Sequence, residues 1–158
     1  MPKANHPKLD TEFHKAEESP GFLLWKAANL LQRMHTKALR EVEATPAQFS
    51  FMTCLVFLNH HEDVTPIMIS RHAGMDKMMV SDLVKTLKSK KLLTTQKNPD
   101  DGRSFIIKPT EKGIKITNQA IKAVELLDSD FFSEVGNLKI LKKELLGLIH
   151  KEESRQQG

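Results

Sequence analysis

A short helix, a second helix and a hairpin follow one another in the middle of the chain, and this order restricts the fold more than any other feature. Thr65 and Pro66 begin the first helix, because proline suits the first helical position, and Gly74 ends it. Asp76 is an N-cap for a second helix that runs to about Lys90. Two helices joined by a short turn that contains glycine are typical of a helix-turn-helix.

Two β-prone runs follow the second helix. LLTTQK and SFIIKP are enriched in Thr, Ile and Phe, and NPDDGR between them contains Asn-Pro and Asp-Gly turn signals. The pattern predicts an antiparallel hairpin, which would form a wing beside the helix-turn-helix. Residues 65–109 are therefore predicted to be a winged helix-turn-helix lobe.

Helices are also predicted on both sides of this lobe. Ser19-Pro20 and Thr45-Pro46 are cap signals for two helices within 19–58. In 110–154 two further helices are expected, the last one capped by Asn137. Their apolar residues step by three or four along the chain, as on one face of a helix: Leu23, Ala27, Leu30, Met34 and Ala38, then Ile116, Ala120, Ala123, Leu127 and Phe131, then Leu138, Leu141, Leu145 and Leu148.

These flanking helices carry more apolar surface than a small winged lobe needs, and the commonest partner for such a surface is a second copy of the chain. The predicted fold class is therefore mainly α with a small β-hairpin wing. It consists of a winged helix-turn-helix lobe plus N- and C-terminal helices that form a dimerisation module. We expect a homodimer.

The ends and the cysteine content indicate where such a chain works. Residues 1–18 are charged and poor in apolar side chains, which predicts a flexible arm. No segment has the uninterrupted apolar length of a membrane span or of a secretion signal. The lone cysteine, Cys54, fits a reducing compartment. We therefore expect a cytoplasmic protein without a membrane partner.

The positive charge is concentrated in one segment. Residues 65–112 hold ten Lys and Arg against five Asp and Glu, while the rest of the chain holds fourteen against fifteen. Segregated positive charge is the electrostatic signature of a protein that binds a polyanion. A basic face that only contacts water would have the same composition, so charge alone leaves both interpretations open.

The second helix of the helix-turn-helix has two distinct faces. At 100° per residue its apolar side chains fall in one arc and its polar ones in another: Val80, Leu83, Val84 and Leu87 against Met78, Ser81, Asp82, Lys85 and Ser89. The apolar arc predicts burial against the lobe. The polar arc could set short side chains against base edges in the major groove of DNA. By itself it is equally typical of an ordinary amphipathic surface helix.

The stretch VTPIMISRHAGMDKMMVSDLVKTLKSKKLLTTQKNPDDGRSFIIKPTEKG, residues 64–113, resembles the MarR family of transcriptional regulators. The likeness rests on the helix pair, the lysine-rich helix exit and the wing motif Asp101-Gly102-Arg103. The order and spacing of the helices extend it over about residues 20–154. In that family the wing arginine enters the minor groove and the wing aspartate helps to hold it. The resemblance therefore implies these roles for Arg103 and Asp101.

The resemblance implies a homodimeric, sequence-specific DNA-binding regulator, expected to be a repressor, on a pseudo-palindromic operator in double-stranded DNA. The residues expected to face DNA are Thr65, Lys77, Met78, Ser81, Asp82, Lys85, Asp101 and Arg103. The family also implies release by a small aromatic or amphipathic effector, bound where the lobe meets the dimerisation helices. Side chains that could line this cleft, or could simply be core, are Trp25, Met34, His35, Phe49 and Met52.

Two positions depart from the family pattern. Asp82 stands where the family usually has Arg, and Lys91 stands where it often has Gly. A carboxylate at the first position could accept a hydrogen bond from cytosine, or it could pair with Lys85 or Lys77 on the protein surface. The operator sequence therefore cannot be transferred from the family.

Other chemistries find little support in the sequence. The cluster His60-His61-Glu62-Asp63 lies at a helix end, where polar residues are ordinary, and it lacks the spacing of a metal site. Cys54 stands among apolar residues and is expected to be a small core residue, with a redox sensor as the alternative. We expect no enzyme activity, no cofactor and no metal. The rival functional class is a winged-helix protein-interaction module or anti-activator whose basic face contacts only water.

Overall fold

The computed structural model of the chain describes residues 9–156 and confirms the expected order of elements. Six α-helices and one hairpin follow one another within that range, with a short 3-10 helix, Leu39–Val42, after the first: α1 Pro20–Ala38, α2 Pro46–Asn59, α3 Pro66–Ala73, α4 Lys77–Ser89, β1 Leu93–Lys97, β2 Phe105–Pro109, α5 Glu111–Phe131 and α6 Leu138–Gln156. The arm predicted for residues 1–18 lies partly outside the described residues. In its described part, Ala16–Glu18 form one turn of 3-10 helix.

The helix starts are fixed by the capping residues that the sequence indicates. The Ser19 hydroxyl accepts a hydrogen bond from Phe22 N at 3.3 Å, and the Asp76 carboxylate accepts one from Met79 N at 2.8 Å. At α6 the Asn137 side chain accepts from Ile140 N at 3.0 Å. Each bond satisfies a backbone N–H that has no partner within its own helix. These helices therefore begin where local chemistry favours them.

The hairpin pairs β1 with β2 in antiparallel register, with Thr95 opposite Ile107. Ile107 N also donates to Val64 O at 2.8 Å, so the residue before α3 forms a bridge to the hairpin. This bridge between Val64 and Ile107 joins the base of the wing to the start of the helix-turn-helix. The winged lobe is thus tied together by backbone hydrogen bonds as well as by its core.

The main core lies under the helix-turn-helix. Its buried side chains come from α2, α3, α4 and the hairpin, together with Val64 and Leu92 just outside them: Phe51, Met52, Leu55, Val64, Ile69, Val80, Leu83, Val84, Leu87, Leu92, Leu93 and Ile107. A smaller cluster of Leu39, Ala120 and Val124 joins α5 to the end of α1. The two clusters hold the winged lobe against α5.

Neither terminal helix has a fully buried side chain in the isolated chain, although one side of α1 packs against α5. No residue of α1 is buried, and none is buried in the described part of α6. Their exposed large apolar side chains are Leu23, Leu24, Trp25 and Leu30 on α1 and Leu138, Ile140, Leu146, Leu148 and Ile149 on α6. Patches of this kind mark interaction surfaces in soluble proteins. Within residues 9–156 no helix combines the length and the apolar character that crossing a membrane requires.

The exit from α4 has an unusual backbone conformation. Leu92 N donates to Leu87 O and Lys91 N donates to Lys88 O, both at 2.9 Å, which is the Schellman pattern at a helix end. The pattern requires a left-handed residue, and Lys91 has a φ of 59°. Glycine normally holds this place because a Cβ is disfavoured there. The departure from the family pattern at Lys91 is therefore a strained position.

Replacing Lys91 with glycine is expected to raise the free energy of unfolding by about 0.5 to 1 kcal/mol. The relief of left-handed strain outweighs the greater freedom that glycine gives the unfolded chain. Urea denaturation of both proteins measures the difference. Lys91→Ala is the control, since it removes the same charge and keeps the Cβ. An equal gain in Lys91→Ala would show that charge, and not backbone strain, is the cause.

Candidate nucleic-acid interface

The two faces predicted for α4 are confirmed by burial. Its apolar arc of Val80, Leu83, Val84 and Leu87 is buried in the main core. The opposite arc is exposed along its whole length: Met78, Ser81, Asp82, Lys85 and Ser89. The helix is therefore anchored on one side and offers the other side to solvent, as a recognition helix does before it binds DNA.

The turn between α3 and α4 fixes the angle at which α4 leaves the lobe. Gly74 adopts a left-handed conformation with a φ of 63°, which ends α3. The Ser70 hydroxyl donates to Met75 O at 2.6 Å, and Met75 N donates to Ser70 O at 3.1 Å. These bonds close the turn from both directions. The start of α4 is thereby held in a fixed position relative to α3.

The tip of the wing is held by short-range hydrogen bonds. The Asp101 carboxylate accepts from Arg103 N at 3.0 Å, and Asp101 O accepts from Ser104 N at 3.0 Å. Asn98 reaches across the loop and donates to the Ser104 hydroxyl at 2.9 Å. Asp101 therefore holds the backbone N–H of Arg103, whose side chain is exposed. Sequence reasoning had no signal for the part that Asn98 plays.

One open groove brings together residues from three separate parts of the lobe. It lies between the start of α3, the start of α4 and the wing, and it is lined by Thr65, Pro66, Ile67, Ser70, Lys77, Val80, Arg103, Ser104 and Phe105. Three residues predicted to face DNA, Thr65, Lys77 and Arg103, thus lie along the same groove. Met78 follows Lys77 in the chain but is not among the residues that line the groove.

Asp82 has a partner on its own helix. Its carboxylate lies 3.6 Å from Lys85 Nζ, and both side chains are about three-quarters exposed, at 75% and 76%. Water screens a pair this exposed, so its contribution to stability is small. The geometry matches the surface-pair interpretation of Asp82, with Lys85 rather than Lys77 as the partner. Either side chain can still turn towards a ligand, because little holds it in place.

A cavity of about 150 Å³ lies behind the recognition helix. It is bounded by α2, α5, the end of α4 and the segment between α1 and α2. Its walls are mainly apolar and include Phe49, Met52, Leu87, Leu92, Ile116 and Ala120, and its polar lining is Glu43, Gln48, Lys90, Lys112 and Thr117. Cavities of about this volume hold a single six-membered ring. An apolar space with two amines in its lining suits an acid that carries one ring.

The two lysines of this cavity are already engaged with the backbone. Lys90 Nζ donates to Glu43 O at 2.7 Å and to Gln48 Oε1 at 3.2 Å, and Lys112 Nζ donates to Lys90 O at 3.2 Å. Glu43, which accepts the hydrogen bond from Lys90, has a positive φ of 51°. Lys91, which follows Lys90, also has a positive φ. Strained non-glycine residues often accompany functional sites. Sequence reasoning missed Lys90 and Lys112, because nothing distinguishes them from the other lysines around them.

Only two of the five side chains considered for an effector cleft line this cavity. Phe49 and Met52 do so, whereas Trp25, Met34 and His35 do not. Trp25 is 64% exposed on α1. His35 Nε2 lies 2.6 Å from Asp128 Oδ1 and so links α1 to α5. The space therefore lies on the winged-lobe side of α2, and α1 contributes no wall to it.

The histidine cluster shows no metal geometry. His60 and His61 meet edge to face, and Phe57 lies between the rings of His61 and His72. Among the residues that the structure describes, no three His, Cys, Asp or Glu side chains come close enough to hold a metal ion. Asp63 pairs instead with Lys108 Nζ at 3.2 Å. The contacts of this corner are aromatic and ionic.

Cys54 is only partly buried, where the sequence predicted a buried core residue, and it packs against the edge of the main core. Burial raises the pKa of its thiol, so less of the reactive thiolate is present at a given pH.

We expect Cys54 to react with iodoacetamide at pH 8 more slowly than free cysteine does. Once urea has unfolded the chain, the two reaction rates should be equal. A native rate equal to that of free cysteine would restore the redox-sensor alternative.

A family model described as MarR family matches residues 52–104, which hold most of the winged lobe. The chain is 37% identical over 124 residues to the uncharacterized HTH-type transcriptional regulator YdcH of Bacillus subtilis (strain 168). That alignment covers 78% of this chain and 84% of the relative. The similarity therefore extends well beyond the residues that the family model matches.

Solved structures give the same fold at lower identity. The transcriptional regulator MosR of M. tuberculosis in complex with DNA superposes with a TM-score of 0.74 at 18% identity, covering 86% of this chain and 97% of that one. CouR of Rhodococcus jostii RHA1 bound to p-coumaroyl-CoA gives 0.75 at 19% identity, covering 89% and 96%. At these identities the likeness establishes the fold alone.

Proposed function

The chain belongs to the MarR family of transcriptional regulators, and we propose that it represses transcription by binding a pseudo-palindromic operator as a homodimer in the cytoplasm. The observation that carries the proposal is the groove shared by Thr65, Lys77 and Arg103. The groove joins the start of α4 to the wing, so a helix and a hairpin offer donors and cations along one groove. A helix for the major groove beside an arginine for the minor groove is the arrangement that such proteins use.

Each residue expected to face DNA has a role in this proposal. Ser81 faces base edges from α4, and Asp82 turns from Lys85 towards a base edge when DNA binds, while Lys77, Lys85 and Thr65 contact phosphates on either side of them. Arg103 enters the minor groove and Asp101 holds the backbone beneath it. Met78 lies in the first turn of α4, next to Lys77 in the chain. All of them except Thr65 are exposed, so DNA reaches them without rearrangement of the core.

The exposed apolar side chains of α1 and α6 support the proposal of a homodimer. A second copy would cover their exposed leucines and isoleucines and would set two recognition helices side by side for two half-sites. Light scattering at micromolar concentration tests this expectation. A stable monomer of 17.9 kDa would contradict the two-half-site arrangement.

DNA binding itself is tested by fluorescence anisotropy on the DNA upstream of the chain's own gene. Measurements at several salt concentrations against a scrambled competitor separate two classes of protein. A specific regulator keeps a large affinity ratio over scrambled DNA, while an incidental basic face loses it. Equal binding to both duplexes would favour the protein-interaction module or anti-activator. Repression is then tested by fusing the bound region to a reporter gene. If the chain is a repressor, expression of the reporter should rise when the regulator is deleted.

The cavity behind α4 supports release by an acidic aromatic effector. The carboxylate of the effector would accept hydrogen bonds from the amines of Lys90 and Lys112. These amines would then leave their present acceptors, and the exit of α4 would be disturbed. A protein of the same fold, CouR, is bound to p-coumaroyl-CoA, which carries an aromatic ring. The simplest probe is benzoate. It should raise the melting temperature of the parent and weaken its DNA binding, and it should do neither in Lys90→Met. Equal effects on both proteins would place the effector elsewhere.

A further inference from the structure

Met78 is out of place on a polar surface. Its side chain is 79% exposed, although exposing a methionine to water gains nothing for the folded state. It lies three, four and seven positions before Ser81, Asp82 and Lys85, so all four side chains share one face of α4. On this face Met78 alone is apolar. Exposed apolar side chains are common on protein surfaces, but this one lies on the face that is proposed to meet DNA, where it is available to an apolar group of the DNA.

The position of Met78 indicates what that group is. It is the second residue of α4 and follows Lys77, which lines the groove shared with the wing. The first turn of a recognition helix is the part that contacts base edges. In the major groove the only apolar group on a base edge is the 5-methyl of thymine; the other groups are hydrogen-bond donors and acceptors. A thioether offers at most a weak acceptor to them.

We propose that Met78 reads the 5-methyl group of one thymine in each half-site of the operator. The inference rests on the proposed DNA-binding function and adds to it the chemical group that one residue recognises. The flexible methionine side chain can adjust to a methyl group at the helix tip, which fits a contact that supplies specificity through burial. Ser81 and Asp82 on the same face remain available for the polar edges of neighbouring bases.

Deoxyuridine tests the proposal, because it differs from thymidine only by this methyl group. A duplex is first selected from a random-sequence pool by the parent protein, and each thymine is then replaced in turn. At one thymine per half-site we expect an affinity loss of about fourfold, as burial of one methyl group predicts. Met78→Ala should bind the thymine and deoxyuridine duplexes equally well, and Met78→Leu should again distinguish them.

Met79→Ala is the matched control. Met79 is the adjacent methionine, 43% exposed on another side of α4, so its loss should leave the ratio between thymine and deoxyuridine unchanged. A selected duplex without any methyl-sensitive thymine would overturn the inference alone, as would a ratio that Met78→Ala does not alter. A pool from which no sequence is enriched would overturn the proposed function, and the inference with it. Thermal melts followed by circular dichroism confirm that the variants are folded.

Discussion

Replacing Gly113 with alanine is expected to lower the free energy of unfolding by about 3 kcal/mol, the upper part of the range for overpacking a tight core. Gly113 lies in the first turn of α5, directly against the backbone of Leu92. An added Cβ would overlap the Leu92 carbonyl oxygen and would lie 2.9 Å from the Met52 side chain. The side chain of Met52 can shift, but the carbonyl cannot, because it accepts a hydrogen bond from Thr110 N at 3.0 Å. Urea denaturation gives the difference.

Gly21→Ala is the control for that substitution. Gly21 is exposed in the first turn of α1, and the nearest atom to an added Cβ is Ser19 Oγ at 3.9 Å. Alanine there should stabilise the helix by up to about 1 kcal/mol, since glycine is the poorer helix former. If Gly113→Ala unfolded at the same urea concentration as the parent, α5 could not lie as close to the exit of α4 as described.

Most element boundaries could be predicted because their causes are local. Ser19, Thr45 and Asp76 bond to backbone groups three residues further along, so the signal and its effect lie in the same short segment. The periodicity that assigned the two faces of α4 is local as well. Thr45 even completes a capping box with Gln48, in which each residue bonds to the backbone of the other.

Contacts between distant segments could not be predicted in the same way. The need for glycine at position 113 arises from Leu92, which is remote along the chain, and no pattern around either residue reveals it. The cavity and its lysines depend in the same way on how α2, α4 and α5 pack. Even Lys91, recognised as a departure from a family pattern, shows its strain only once the helix exit is built.

The candidate site combines both kinds of information. The exposure of Ser81 and Lys85 could be predicted from the periodicity of apolar and polar residues along α4 alone. The meeting of Thr65, Lys77 and Arg103 in one groove depends on the bridge from Val64 to Ile107 and on the turn at Gly74. The resemblance named the wing aspartate as a positioning residue. In the structure the Asp101 carboxylate accepts a hydrogen bond from the backbone N–H of Arg103, which is the contact that such a role would use.

Replacing Arg103 with alanine is expected to weaken operator binding about tenfold and to make its salt dependence shallower by about one unit. Arg103 is exposed in the wing and is not part of the buried core, so its removal should leave the fold intact and, under the proposed function, delete a cation that reaches DNA. Anisotropy on one operator at several salt concentrations measures both changes. Circular dichroism melts confirm folding. A folded Arg103→Ala that binds like the parent would show that the hairpin does not contact DNA.

Asp101 supplies the sharper test, because two mechanisms predict opposite signs. If its charge matters most, its removal near DNA reduces repulsion, and both Asp101→Ala and Asp101→Asn should bind more tightly. If it positions Arg103, the two variants should differ. Asparagine retains an oxygen for the Arg103 N–H, as in an Asx-turn, whereas alanine does not. We expect Asp101→Ala to bind about threefold more weakly than the parent, a few tenths to one kcal/mol for a lost exposed hydrogen bond.

Asp101→Asn is expected to bind at least as tightly as the parent, because it keeps the turn and loses the repulsion. Asp100→Asn controls for charge alone, since the Asp100 backbone N–H donates to Asn98 and its carboxylate has no assigned role in holding Arg103. In Arg103→Ala the further loss of Asp101 should no longer weaken binding, because nothing remains to be positioned. Tighter binding by Asp101→Ala in the presence of Arg103 would mean that the carboxylate acts on DNA only through its charge.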